Sequence, residues 1–189
     1  MSAPSPADDH RASAAVFAER VRGAGDWDAP TPVPAWQARD VVRHLVEWFP
    51  GFLAGGSDRR LPEVTSVDDD PVAAWEQHTA GVQAILDDPD AANENFAHPH
   101  LPAMPLTEAI SQFYVADVFM HTWDLARSTG QEDRLDEDRC RAMLEGMEPM
   151  DEMLRSSGQY GPRIPVAEDA TWCDRLMGFI GRDPSWRPR

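Results

Sequence analysis

The stretch VADVFMHTWDLARSTG, residues 115–130, reads as the second half of a long helix that Gly130 stops. Followed back to Leu106, one face carries Leu106, Ile110, Phe113, Asp117, His121 and Asp124. At about 100° per residue these positions share a band roughly 60° to 80° wide. The first half of this stripe is apolar, and the second half turns acidic and basic without leaving the face. A carboxylate in a core is costly unless it is hydrogen-bonded, paired or bound to a metal. The helix therefore lines a site or holds a buried polar network.

The rest of the chain supplies partners for that helix. Residues about 7–23 carry a helical pattern through Val16, Phe17 and Val21, ending at Gly23 and Gly25. Three prolines within GDWDAPTPVPAW forbid regular helix there. A second helix spans about Trp36 to Ala54, with Val41, Leu45, Trp48 and Phe52 spaced as a buried stripe. Asp70–Pro71 is a start signal for a third, which runs to about Leu86. Asp136 caps a fifth that extends to about Ser157, interrupted at Pro149, and a short helix covers about Asp169–Ile180. No segment reads as a strand. The expected fold is all-α: a single domain over residues 1–189, with a four-helix bundle core at about 7–130 and a helical extension at about 136–181.

A formal charge of −16 over 189 residues argues against nucleic acid and acidic membrane surfaces as partners. All 17 basic residues are Arg, which points to high-GC coding bias. The two cysteines, Cys140 and Cys173, make neither a disulfide framework nor a zinc-knuckle spacing. With no apolar leader in MSAPSPADDHRAS and no run of membrane-spanning length, a cytoplasmic protein is expected.

Asp117 and His121 stand four apart, adjacent on one side of a helix, where they can share a metal ion. A third ligand must come from elsewhere. His44, on or beside the apolar stripe of the second helix, is the best candidate, since facing helices bring side chains together across a bundle. Taken alone, a His on an apolar face is more often a hydrogen-bonded core residue, and the pair could be a buried structural bond. Asp124 is placed to hold the His121 ring, or to pair with Arg43 or Arg127. His98 and His100 form an H-x-H in a proline-rich loop, while His10 and His78 have no evident partner. The methionines of MLEGMEPMDEML read as helix-packing material.

These segments resemble a known family. GDWDAPTPVPAWQARDVVRHLVEW (25–48) and ADVFMHTWDLARSTGQ (116–131) resemble two signatures of the DinB/YfiT-like superfamily, in its mycothiol-dependent maleylpyruvate isomerase-like branch. VAEDATWCDRLMGFIGRDPSW (166–186) is similar to the tail of a metal-binding subfamily. The resemblance implies a four-helix bundle holding one divalent metal through His44, Asp117 and His121. It also implies a possible homodimer. The chain departs from the isomerase in having Asp117 where that enzyme has Glu, in carrying about 60 residues after the fourth helix in place of a second domain, and in Val33, where relatives often have Cys.

Two imidazoles and one carboxylate leave open coordination positions, the arrangement of a catalytic metal site. Zn²⁺ suits such a nitrogen-rich set, with Ni²⁺, Fe²⁺ and Mn²⁺ as alternatives. The leading expectation is thiol chemistry: mycothiol or a similar small thiol as co-substrate, deprotonated by coordination and transferred to a small electrophile by an S-transferase or isomerase-like enzyme. The rival readings are a non-haem iron oxygenase, a non-catalytic metal- or small-ligand-binding stress-related protein, and a packed bundle whose Asp/His cluster is a hydrogen-bond network.

Overall fold

A computed structural model describes residues 4–156 and 158–188 of the chain. Ser5 opens α1 (Pro6–Gly23) by accepting the Asp8 N–H, and Asp8 and Asp9 in the first turn complement Arg20 and Arg22 in the last. At the start of α2 (Ala38–Gly56) the Asp40 carboxylate reaches back to the Gln37 N–H at 2.9 Å. This helix continues through Pro50, which removes one donor from its ladder. The Asp70 carboxylate accepts the N–H groups of Val72 and Ala73 and so starts α3 (Pro71–Leu86).

The fourth helical span is not one regular α-helix. It comprises α4 (Leu106–Ala109), a π-helical stretch over Ile110–Val115, and α5 (Ala116–Thr129), ended by Gly130 at φ 68°. A π-turn takes more residues than an α-turn, so an even 100° step drifts across it. Tyr114 and Val115 are buried as a result, while Phe113, expected in the core stripe, is only half-buried.

The helices α1 and α2 each pack against both α3 and α5, giving a four-helix bundle in which α1 and α2 face each other across the diagonal. Their connection, residues 24–37, therefore spans one end of the bundle. Phe17, Leu45, Phe49, Trp75 and Tyr114 fill the core. Val16, expected to be inside, is 42% exposed because α1 buries Phe17, Ala18 and Val21 instead. On α2, Val42, Phe49 and Leu53 complete the buried face, leaving His44, Trp48 and Phe52 as a half-buried stripe.

One short antiparallel ladder was not expected from the sequence: β1 (Asn95–Phe96) pairs with β2 (Met104–Pro105). Its strands are too brief to show periodicity. Phe96 lies over Gly56, where an added Cβ would stand 2.3 Å from the ring, so the close approach requires glycine.

The remaining helices are α6 (Glu137–Met147), α7 (Asp151–Ser156) and α8 (Trp172–Phe179), with a 3₁₀ turn at Glu148–Met150 where Pro149 was expected to interrupt the helix. Ser157, the expected end of that region, lies outside the described residues. Leu144, Cys140, Cys173, Leu176 and Met177 pack here against Phe119, Met120 and Trp123 of α5. Val118 and Leu125 of the same helix face the bundle. Thus α5 is enclosed on both sides, and every residue from Val118 to Ser128 is buried. Met150 and Met153 do not pack as expected; they are 39% and 59% exposed.

Candidate metal centre

His44 on α2 and Asp117 and His121 on α5 meet between the two helices. One ligand-type atom from each lies within 4.8 Å of the other two, and no other group of three or more His, Cys, Asp or Glu side chains comes together in this way among the described residues. His44 Nε2 is 3.0 Å from Asp117 Oδ2, and His121 Nε2 is 3.4 Å from Asp117 Oδ1. The two imidazoles meet edge to face at 4.8 Å. Asp117 lies at the rim, with its side chain 19% exposed, whereas His121 is buried.

Asp124 turns His121 toward Asp117. Its Oδ2 sits 2.9 Å from His121 Nδ1, and Asp124 is fully buried. Neither Arg43 nor Arg127 pairs with it, contrary to the expectation from the sequence: Arg43 binds Asp68 and Asp40, and Arg127 binds Asp133. The partner is Arg182, in the segment after α8, whose Nη2 donates to Asp124 Oδ2 at 3.1 Å. Burial pushes the Asp124 carboxyl up, but the Arg182 charge and the bonds from His121 and Arg182 outweigh it and hold the group below the usual range. An ionised Asp124 accepts a hydrogen bond from His121 Nδ1–H, which points Nε2 of the ring at Asp117.

Asp117 is held in the same sense. Burial opposes its charge, and His121, His44 and Arg182 together overcome that, so its carboxyl is lowered. His121 Nε2 and Asp117 Oδ1 then face each other at 3.4 Å. Such a pair calls for a cation, either a proton or a metal ion. Two imidazole nitrogens and a carboxylate oxygen are the donor set that divalent transition metals accept, so these residues fit the ion the resemblance implies.

Aromatic rings wall the cluster. Trp36 stacks on His121 at 5.7 Å and leans on His44 at 5.1 Å; Trp48 stacks on His44 at 6.0 Å. Trp36 is carried by the 24–37 loop, where the Thr31 N–H donates to Trp36 O and the Trp36 N–H donates to Val33 O. Ser128 of α5 ties the same loop down through its bonds to the carbonyls of Ala29 and Pro30. Ala35, directly before Trp36, has φ 67°, a left-handed conformation unusual for a residue with a Cβ. Trp48 adds a polar contact: its Nε1–H donates to Asp117 Oδ2 at 3.0 Å. Tyr160, from the C-terminal region, interacts electrostatically with Asp117 and Arg182.

The other singled-out residues lie apart from this centre. His98 and His100 have ring centres 5.6 Å apart, and His98 stacks on Phe52 and Phe96. His10 does have partners, Gln83 Oε1 at 2.7 Å and Thr79 Oγ1 at 3.4 Å. His78 is buried beside Phe49 and Tyr114. Cys140 and Cys173 are buried free thiols. The hydrogen bond that the Cys140 thiol makes to Cys173, with burial, drives its pKa far up and keeps it protonated. Sequence reasoning missed Arg182, Trp36, Trp48 and Tyr160 as neighbours of the centre. Trp48 had one signal, because it follows His44 by four residues and so shares its helix face.

Fold and site together define a DinB-like helical bundle with a His–Asp–His cluster between facing helices. Within that class, the chain belongs to the mycothiol maleylpyruvate isomerase N-terminal domain family, whose match covers residues 8–126. It is also similar to two uncharacterised proteins of Mycobacterium tuberculosis, from strains CDC 1551 / Oshkosh and ATCC 25618 / H37Rv. Each is 26% identical over 165 residues, which is 81% of this chain and 83% of the relative. No solved structure matches the chain significantly. No helix among the described residues is long and apolar enough to cross a membrane.

Proposed function

We propose that this chain holds one divalent metal ion, zinc foremost, through His44, Asp117 and His121, and acts as an enzyme on a small thiol such as mycothiol and a small electrophile, in an S-transferase or isomerase-like reaction. The observation that carries this reading is the convergence of the three donor atoms within 4.8 Å between two helices. When bound, such an ion lowers the pKa of a coordinated thiol, so that the thiolate form exists at neutral pH.

The chain's own residues prepare that chemistry. Asp124 and Arg182 fix the His121 ring, so its Nε2 needs no reorientation. Trp36 and Trp48 pack against the imidazoles and hold their rings in place. With neutral imidazoles, the two carboxylates and the Arg182 guanidinium would sum to one negative charge, so a bound divalent ion would leave one positive charge for an anionic ligand such as a thiolate to offset. Because Arg182 reaches Asp124 from the C-terminal extension, we read the bundle and that extension as one working unit.

The test is elemental analysis of untagged protein beside His44→Ala and His121→Ala, followed by thiol-conjugation assays with chlorinated aromatics and epoxides. Near one ion per chain, lost in both variants, with metal-dependent turnover, is the expected result. A wild type that takes up no divalent ion on reconstitution would sink the metal centre. Stoichiometric metal without any thiol-dependent turnover would instead favour the non-catalytic binding protein.

A further inference from the structure

The Trp48 indole assigns the two oxygens of Asp117 different tasks. Asp117 Oδ2 lies 3.0 Å from Trp48 Nε1 and 3.0 Å from His44 Nε2, while Oδ1 faces His121 Nε2 at 3.4 Å. The two contacts to Oδ2 differ in kind. An imidazole nitrogen can donate or accept, so His44 can turn a lone pair to an ion. An indole N–H can only donate. Whatever His44 does, Oδ2 keeps one donor bound to it.

The ring that carries this donor is not free to swing away. Trp48 is half-buried on α2, one helical turn after His44, with Phe49 at 5.6 Å, Phe52 at 5.4 Å and Tyr114 at 6.3 Å around it. Asp117 is likewise anchored on α5, directly after the π-helical stretch. A π-turn inserted there sets the rotation of α5 relative to α2, and so sets the meeting of indole and carboxylate.

We propose that Trp48 is a positioning residue that restricts Asp117 to a single coordinating oxygen, Oδ1, and so keeps open the coordination positions a substrate would use. The inference rests on the reading of this cluster as a metal centre. A carboxylate with both oxygens free can chelate, occupying two positions around the ion; one whose second oxygen is held by an indole N–H occupies one. With His44, His121 and a one-oxygen Asp117, the protein would supply three ligand atoms and leave room for an exchangeable ligand.

The experiment replaces the ion with Co²⁺ and compares wild type with Trp48→Phe, which keeps a ring in the same packing but removes the donor. Thermal melts establish that the variant is folded. Visible absorption reports coordination number, since four-coordinate Co²⁺ absorbs far more strongly than five- or six-coordinate Co²⁺, and azide titration reports the open position. We expect one ion in each protein at saturating Co²⁺, metal affinity lowered about tenfold, the lower end of the range for outer-sphere partners, and weaker absorption and weaker azide binding in the variant. Trp48→His, whose Nε2–H can stand near the position of the indole N–H, should recover the wild-type absorption. If Trp48→Phe does not fold, this second variant and the indole N–H signals of ¹⁵N-labelled wild type, followed during Zn²⁺ titration, carry the test: an indole signal that moves with one equivalent supports the contact. Identical spectra and azide affinities in wild type and Trp48→Phe would overturn the role of Trp48 alone. A wild type that binds no Co²⁺ would overturn the metal reading and this inference together.

Discussion

Replacing Arg182 by Met tests the link between the C-terminal extension and the bundle. Asp124 is fully buried, and Arg182, with its side chain 13% exposed, supplies the counter-charge. Three guanidinium contacts at 3.1–3.4 Å would be lost. Breaking a buried pair by removing one partner costs about 3–5 kcal/mol. Asp124 retains the bond from His121, which recovers part of that, so the expected loss is about 2–4 kcal/mol. In a chain of this length that corresponds to a melting temperature lower by about 5–15 °C. The assay is urea and thermal unfolding of metal-free protein in chelator, with Asp124→Asn and the double variant completing a cycle. Because the charge stranded by one substitution is removed by the other, the double variant should be more stable than additivity requires by about 1 kcal/mol or more. Loss of less than about 0.5 kcal/mol in Arg182→Met, or strict additivity in the double variant, would refute the reasoning.

His78 predicts an acid limb in the stability curve. Burial, and then nearby His10, lower its pKa from 6.5 to about 4. Between those values the unfolded chain binds the extra proton, so stability falls as pH drops through that window, by about 3 kcal/mol in all. Urea unfolding at pH 7 and 4.5 should show a markedly smaller fall in His78→Gln; equal falls in both proteins would contradict this. Gly178→Ala would place a Cβ 2.7 Å from the Ile164 carbonyl oxygen and 2.9 Å from Val166 Cγ1. A backbone atom cannot step aside cheaply, so a loss of about 1–3 kcal/mol is expected in a thermal melt. Cys140 and Cys173 should resist an aromatic disulfide reagent in the native protein and react only after denaturation, because both are buried and Cys140 is held as the thiol. Rapid native labelling would show that the α6–α8 layer opens readily.

Much of the architecture was legible because helices are local objects. Asp70–Pro71, the stop at Gly130 and the apolar spacing of α2 mark elements through neighbours a few residues away, and the structure places α3, α2 and α5 accordingly. The four-residue step from Asp117 to His121 was likewise readable, and the structure brings His44 to the pair. Where regular geometry fails, the reading failed with it. The π-helical turn at Ile110–Val115 left Phe113 only half-buried at the edge of the core, and the two-residue ladder of β1 and β2 was too short to leave a pattern.

What no spacing could reveal is which distant group completes each contact. Asp124 meets Arg182 across 58 residues, and Asp117 meets Trp48 across 69. Any of 17 arginines could have neutralised Asp124, and the sequence favoured two that lie elsewhere. By itself, then, the sequence determined the helices, the stripe that turns polar and the local pairing of Asp117 with His121, because hydrogen-bond ladders and helical periodicity act over a few residues. Only the tertiary structure decided that α5 is enclosed from both sides, that Arg182 stabilises its buried carboxylate and that an indole holds the ligand-type aspartate. Those outcomes depend on how the C-terminal layer docks on the bundle, a result of shape and charge summed over the whole chain.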